Sequence, residues 1–121
     1  MKSLIVLVVG LLAVGCLTPE QKQKTLRDSV VGEYERKVNT SDGFKRVFLE
    51  NGIVEDYLND KRASKERWKL VDGKIHRWHR PRLIFIYRIN ADKSITWIAE
   101  IEGGKRKDRP KEDQTTFKKI K

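Results

Sequence analysis

One cysteine, Cys16, is all the chain has, so no disulfide can close within it and an apolar core must hold its fold. Histidine is almost as scarce. His76 and His79 stand three apart, a spacing that puts them on opposite faces of a strand and cannot chelate one metal without a bulge. No apolar run approaches the roughly 20 residues that a membrane-spanning helix needs. No Gly-x-Ser-x-Gly elbow is present, and Ser29, Ser41, Ser64 and Ser94 fall at turns or strand ends. Asp72-Gly73-Lys74 and Glu102-Gly103-Gly104-Lys105 read as turns, not as phosphate-binding loops. No internal repeat of roughly 20–50 residues is visible. These absences lead us to expect no enzyme, no cofactor and no metal.

The N-terminus is informative. A short basic start, Met1-Lys2-Ser3, precedes an apolar stretch from Leu4 to Val14 and small residues before Cys16, which is the layout of a secretory leader. Ala13-Val14-Gly15-Cys16 resembles a bacterial lipobox, although alanine stands where leucine is usual. The resemblance implies cleavage before Cys16 and a diacylglyceryl group on its sulfur. The same residues also read as an ordinary small-x-small cleavage site that would release a soluble product. Two or three acyl chains would hold the protein to a membrane where one holds only marginally. Leu17 after the cysteine, in place of aspartate, points to the outer membrane of a two-membrane envelope, facing the periplasm or the cell surface. The expected organisation is a lipoprotein signal peptide at 1–15, a lipidated cysteine with a helical spacer at 16–29, and an antiparallel β domain at 30–121.

Thr18-Pro19-Glu20-Gln21 is a helix start, with Thr18 as cap, proline at the first helical position and Gln21 completing a capping box. From Val30 the apolar pattern has period two, broken by turn signals every eight to twelve residues or so. The expected strands are Val30–Lys37, Phe44–Glu50, Ile53–Asn59, Ser64–Val71, Lys74–Trp78, Leu83–Ile89, Ile95–Ile101 and Thr115–Ile120. Asn51-Gly52 marks a hairpin that pairs Leu49 with Val54 or, in a longer loop, with Ile53. Gly103 to Gln114 reads as a long polar loop. Leu83, Phe85, Tyr87 and Ile89 alternate on one face, as do Ile95, Trp97, Ala99 and Ile101, and these eight are the expected core. Ile84 and Ile86 make their strand apolar on its second face as well.

Eight strands in hairpin order predict a mainly β fold, an eight-stranded antiparallel up-and-down barrel or half-barrel with a short N-terminal helix. Gly32-Glu33-Tyr34 at its opening resembles the Gly-x-Tyr/Trp start of small lipocalin-like lipoprotein domains. The resemblance covers roughly Val30 to Ile120 and implies a topology more than an activity. A barrel of this size holds side chains or one small ligand. Trp68, Phe85, Tyr87 and Trp97 are the candidates for lining such a cavity.

Charge is strongly asymmetric. Thr18 to Asp60 carries seven basic against nine acidic residues, whereas Lys61 to Lys121 carries nineteen against eight. Arg77, Arg80, Arg82, Lys105, Arg106 and Lys107 are therefore candidate anion-binding residues, expected on the outside of the sheet. Anionic lipids, lipopolysaccharide phosphates or teichoic acid fit them, while export argues against nucleic acid. The leading expectation is a non-enzymatic binding or structural module of the envelope with a basic face. A carrier of a small apolar ligand is the alternative, and so is an accessory or inhibitor subunit that meets an unspecified protein through a patch around Ile84 and Ile86.

Overall fold

The computed structural model describes residues 18–36 and 43–121. The leader, Cys16 and the segment 37–42 lie outside the described residues. Helix α1 (Pro19–Val30) begins at the expected capping box, in which Thr18 Oγ1 accepts from the Gln21 amide (3.1 Å) and the Gln21 side chain accepts from the Thr18 amide (2.9 Å). It runs on through Val30, which sequence periodicity assigns to the first strand. Val30 is buried, because the chain turns only at Val31 and drops this side chain onto the end of the sheet.

The strands are β1 (Gly32–Arg36), β2 (Phe44–Phe48), β3 (Ile53–Leu58), β4 (Lys61–Val71), β5 (Lys74–Arg80), β6 (Leu83–Ile89), β7 (Ile95–Glu102), β8 (Lys105–Asp108) and β9 (Thr115–Lys119). All neighbouring pairs are antiparallel, and β1 pairs with β9 through Tyr34–Lys119, Glu35–Lys118 and Arg36–Phe117, which closes an eight-stranded barrel. The eighth stave is shared. Along one edge of β7, Ile95 to Trp97 pair with β9 and Ala99 to Glu102 pair with β8. A 3₁₀ turn at Lys111–Asp113 lies between the two pieces. The segment after Gly103 is thus a hairpin and not a loop. Gly103 (φ +57°) and Gly104 (φ +81°) are its two central residues, the positive pair that a tight primed turn requires.

At Asn51-Gly52 the longer loop is the one adopted. Leu49 N donates to Ile53 O (2.8 Å), Phe48 faces Val54, and Gly52 takes the left-handed position (φ +82°). A second irregularity has larger consequences. In β7, Trp97 faces Tyr87 and Ala99 faces Ile86, leaving Ile98 unpaired with β6, while its carbonyl accepts from the Arg109 amide (2.8 Å). Paired residues share a face, so this bulge carries Ala99 and Ile101 to the outside of the barrel. They do not join the core as simple alternation predicts.

The core fills one end of the barrel with Tyr34, Phe48, Val54, Trp68, Leu70, Ile75 and Ile95, capped by Val30 of the helix. Gly32 belongs to this closure. Its φ is +147°, and a Cβ there would stand 2.2 Å from the Lys121 carbonyl oxygen, whose partner is the Glu33 amide (3.1 Å). Gly32→Ala is expected to cost about 1–3 kcal/mol in urea denaturation, through backbone strain and a parted C-terminus. An unchanged midpoint would show that this approach is not needed.

Candidate functional site

The strands carry apolar residues at the helix end and polar ones at the other, on the same inward face. In β2, Phe48 gives way to Arg46; in β3, Val54 to Asp56; in β5, Ile75 to Arg77 and His79. The result is a cavity of about 530 Å³ at the barrel end opposite the helix. Its walls are Phe44, Phe85, Tyr87, Trp97 and Phe117, and its floor is Arg46, Asp56, Arg77 and Ser64. The rings pack on one another, with centroids 4.6 Å apart for Phe85–Trp97, 6.2 Å for Tyr87–Phe117 and 5.9 Å for Phe44–Phe117.

Asp56 organises the floor. Its Oδ1 accepts from Arg46 Nε (2.8 Å) and Arg77 Nη1 (3.2 Å), and its Oδ2 from Arg46 Nη2 (3.3 Å) and Arg77 Nη2 (2.9 Å). Arg46 Nη1 also donates to the Tyr87 hydroxyl (3.1 Å), and its guanidinium lies 4.3 Å above the Phe117 ring. Arg77 completes its fork with Glu66 through Nε and with Ser64 Oγ (3.3 Å). Glu66 in turn holds His79 at Nδ1 (2.8 Å), and His79 stacks on Phe85 at 4.9 Å. Burial alone would raise the Asp56 carboxyl pKa, but the two arginines outweigh it and hold the group below the ordinary carboxylate value.

Ser64 accepts from Arg77 and the His79 bond goes to Glu66, so the three are not arranged as nucleophile, base and orienter. Among the described residues no group of three or more His, Cys, Asp or Glu could hold a metal ion. The arrangement sets flat apolar walls above a fixed polar floor. Arg36 also lines the cavity, with its guanidinium 5.0 Å over Phe44, and Arg109 lies 3.7 Å over the ring of Trp97.

Of the four cavity candidates, Phe85, Tyr87 and Trp97 come together here. Trp68 does not. It plugs the opposite end, where its Nε1 donates to Leu49 O (3.0 Å), Phe48 meets it edge-on at 5.4 Å and Arg27 covers its ring at 5.0 Å. Among the basic candidates, Arg77 alone turns inward. It shares the inward phase of Ile75, is 3% exposed and belongs to the floor, not to an outer basic face. Arg80, Arg82, Lys105, Arg106 and Lys107 are exposed. The pairs Arg80–Leu83, Leu83–Glu102 and Glu102–Lys105 bring Arg80 and Lys105 to one rim, joined by Arg82, whose carbonyl accepts from the Gly103 amide (3.0 Å).

Sequence reasoning passed over Arg46, Asp56, Glu66, Phe44 and Phe117. A signal for the first three existed, since each is a charged residue in the apolar phase of its strand, and the signs are opposite. Compared with protein-family models, curated proteins and solved structures, the chain matches none.

Proposed function

We propose that the protein is a non-enzymatic, lipid-anchored envelope protein whose barrel holds one small amphipathic ligand. The apolar body of the ligand lies against Phe85, Trp97 and Phe117, and its anionic end meets the arginines. The observation that carries this reading is the cavity of about 530 Å³, which falls within the range of small-molecule sites and combines aromatic walls with a few fixed polar groups. Among the described residues, the guanidinium groups of Arg46 and Arg77 on the floor and of Arg109 over Trp97 are the ones an anionic end would meet. Attachment through Cys16 rests on the lipobox-like leader, and an unmodified thiol in the native protein would contradict it.

Fluorescence titration with matched pairs of medium-chain or aryl compounds, carboxylic acid against alcohol, tests the ligand site. The acid is expected to bind saturably and about ten-fold or more tighter than the alcohol, since a hydrogen bond to a charged group contributes about 1.5–3 kcal/mol. Equal affinities would remove the anionic end from the proposal. No saturable binding of either would remove the site.

A further inference from the structure

The outer wall of β5, β6 and β7 breaks the rule that an antiparallel sheet turns polar residues to water. The pairing register places Arg67, Trp78, Ile84, Ile101 and Arg106 in one row across five strands, each residue opposite the next. The row beside it reads Lys69, His76, Ile86, Ala99 and Asp108. Ile86 and Ala99 are fully buried within this outer layer, while Trp78, Ile84 and Ile101 are half-buried and meet solvent. Trp78 also borders a groove that it shares with Lys65, Arg67, Lys69 and Arg80, and with one acid, Glu66, whose carboxylate is held by Arg77 and His79. Asp108 is the one acid in the two rows, and Arg106 holds it at 2.8 Å. The Ile98 bulge builds this face by turning Ala99 and Ile101 outward.

We infer that this face docks on an anionic phospholipid surface, with Trp78, Ile84 and Ile101 at the headgroup boundary and the flanking arginines and lysines on lipid phosphates. The charge pattern selects this occupant. An apolar strip with a tryptophan at its centre and cations along its flanks complements a uniformly negative interface whose interior is apolar. An acidic protein would satisfy the cations but leave the isoleucine strip to a shape-matched apolar patch. The inference is independent of the ligand cavity, because none of these side chains lines it.

The test uses protein purified from its own cells and mixed with vesicles whose acyl chains are brominated, so that an indole reaching the bilayer is quenched. Phosphatidylcholine–phosphatidylglycerol vesicles are expected to quench, and phosphatidylcholine vesicles to quench far less. Trp78→Phe should remove most of the effect, since Trp68 and Trp97 face inward. Arg67→Gln together with Arg106→Gln, on exposed side chains, should lower the docked-to-free ratio by about twenty-five-fold, from about five-fold per basic residue. Quenching that is equal in neutral vesicles, or that survives both variants, would overturn the inference. So would absence of quenching in a protein that self-associates through Trp78, which would assign the face to a second copy.

Discussion

Asp56→Asn is expected to destabilise the barrel by about 3–5 kcal/mol, the usual cost of removing one partner from a buried ionic group. Asparagine nearly matches aspartate in shape, so the loss reports charge. Arg46 and Arg77, both under 10% exposed, would lose the carboxylate that takes two bonds from each. Against a typical total of about 5–15 kcal/mol, the variant would stand close to unfolding at ambient temperature. Urea denaturation measures it, and a loss under about 1 kcal/mol would show that water already screens the pair.

The pH dependence follows from the same group. Its folded pKa is depressed, so its contribution to stability is fully present above the unfolded value near 3.9 and is lost as pH falls through the folded pKa. Asp56→Asn should abolish this part of the acid transition. A fully apolar floor, with Arg46, Asp56, Glu66 and Arg77 all replaced by residues such as leucine and methionine, should be at least as stable as the native one. A floor of charges is thus poorly explained by stability, which supports the proposed ligand site.

Phe48→Ala is the second large effect, at about 3–5 kcal/mol. Phe48 is fully buried and meets Tyr34 and Trp68 edge-on, both at 5.4 Å. The Tyr34 hydroxyl is fixed on Val30 O (2.7 Å), and Trp68 is fixed on Leu49 O, so neither ring can swing in to fill the space. The denaturation midpoint should fall with an unchanged slope. A loss below about 1.5 kcal/mol would mean that this end of the barrel collapses around the gap.

The architecture was legible because hairpins are local. Turn residues such as Asn51-Gly52 and the period-two runs specify neighbouring strands without knowledge of the rest of the chain. The closing pair β1–β9 follows from the need to cover edges. Alternation failed where one residue shifted the phase. Nothing in Ile95-Thr96-Trp97-Ile98-Ala99 announces that Ile98 will stand unpaired, because the bulge is set by the fit of β7 between β6 and its two partners. Gly103-Gly104 was a hairpin signal hidden by the charged residues around it, which resemble a loop in composition alone. The candidate site was legible in three of its aromatics, Phe85, Tyr87 and Trp97, and not in the pairing of its charges. Arg77 looks like any surface arginine until Asp56, 21 positions away, is placed against it. Such pairing needs β3, β4 and β5 laid side by side, and its only local trace is the placing of Arg46, Asp56 and Glu66 in the apolar phase of their strands.

The three tryptophans sit in three different places: Trp97 in the cavity wall, Trp78 on the outer face and Trp68 in the plugged end. Their indole N–H signals in an NMR titration with a medium-chain carboxylate, below its micelle concentration and without lipid, therefore separate the possible sites. The Trp97 signal should move saturably, with its Nε1 bond to Ala99 O (3.0 Å) perturbed, while Trp68 and Trp78 hold still. A fixed Trp97 signal, or a shift confined to Trp78, would mean that the interior of the barrel takes no ligand of this kind.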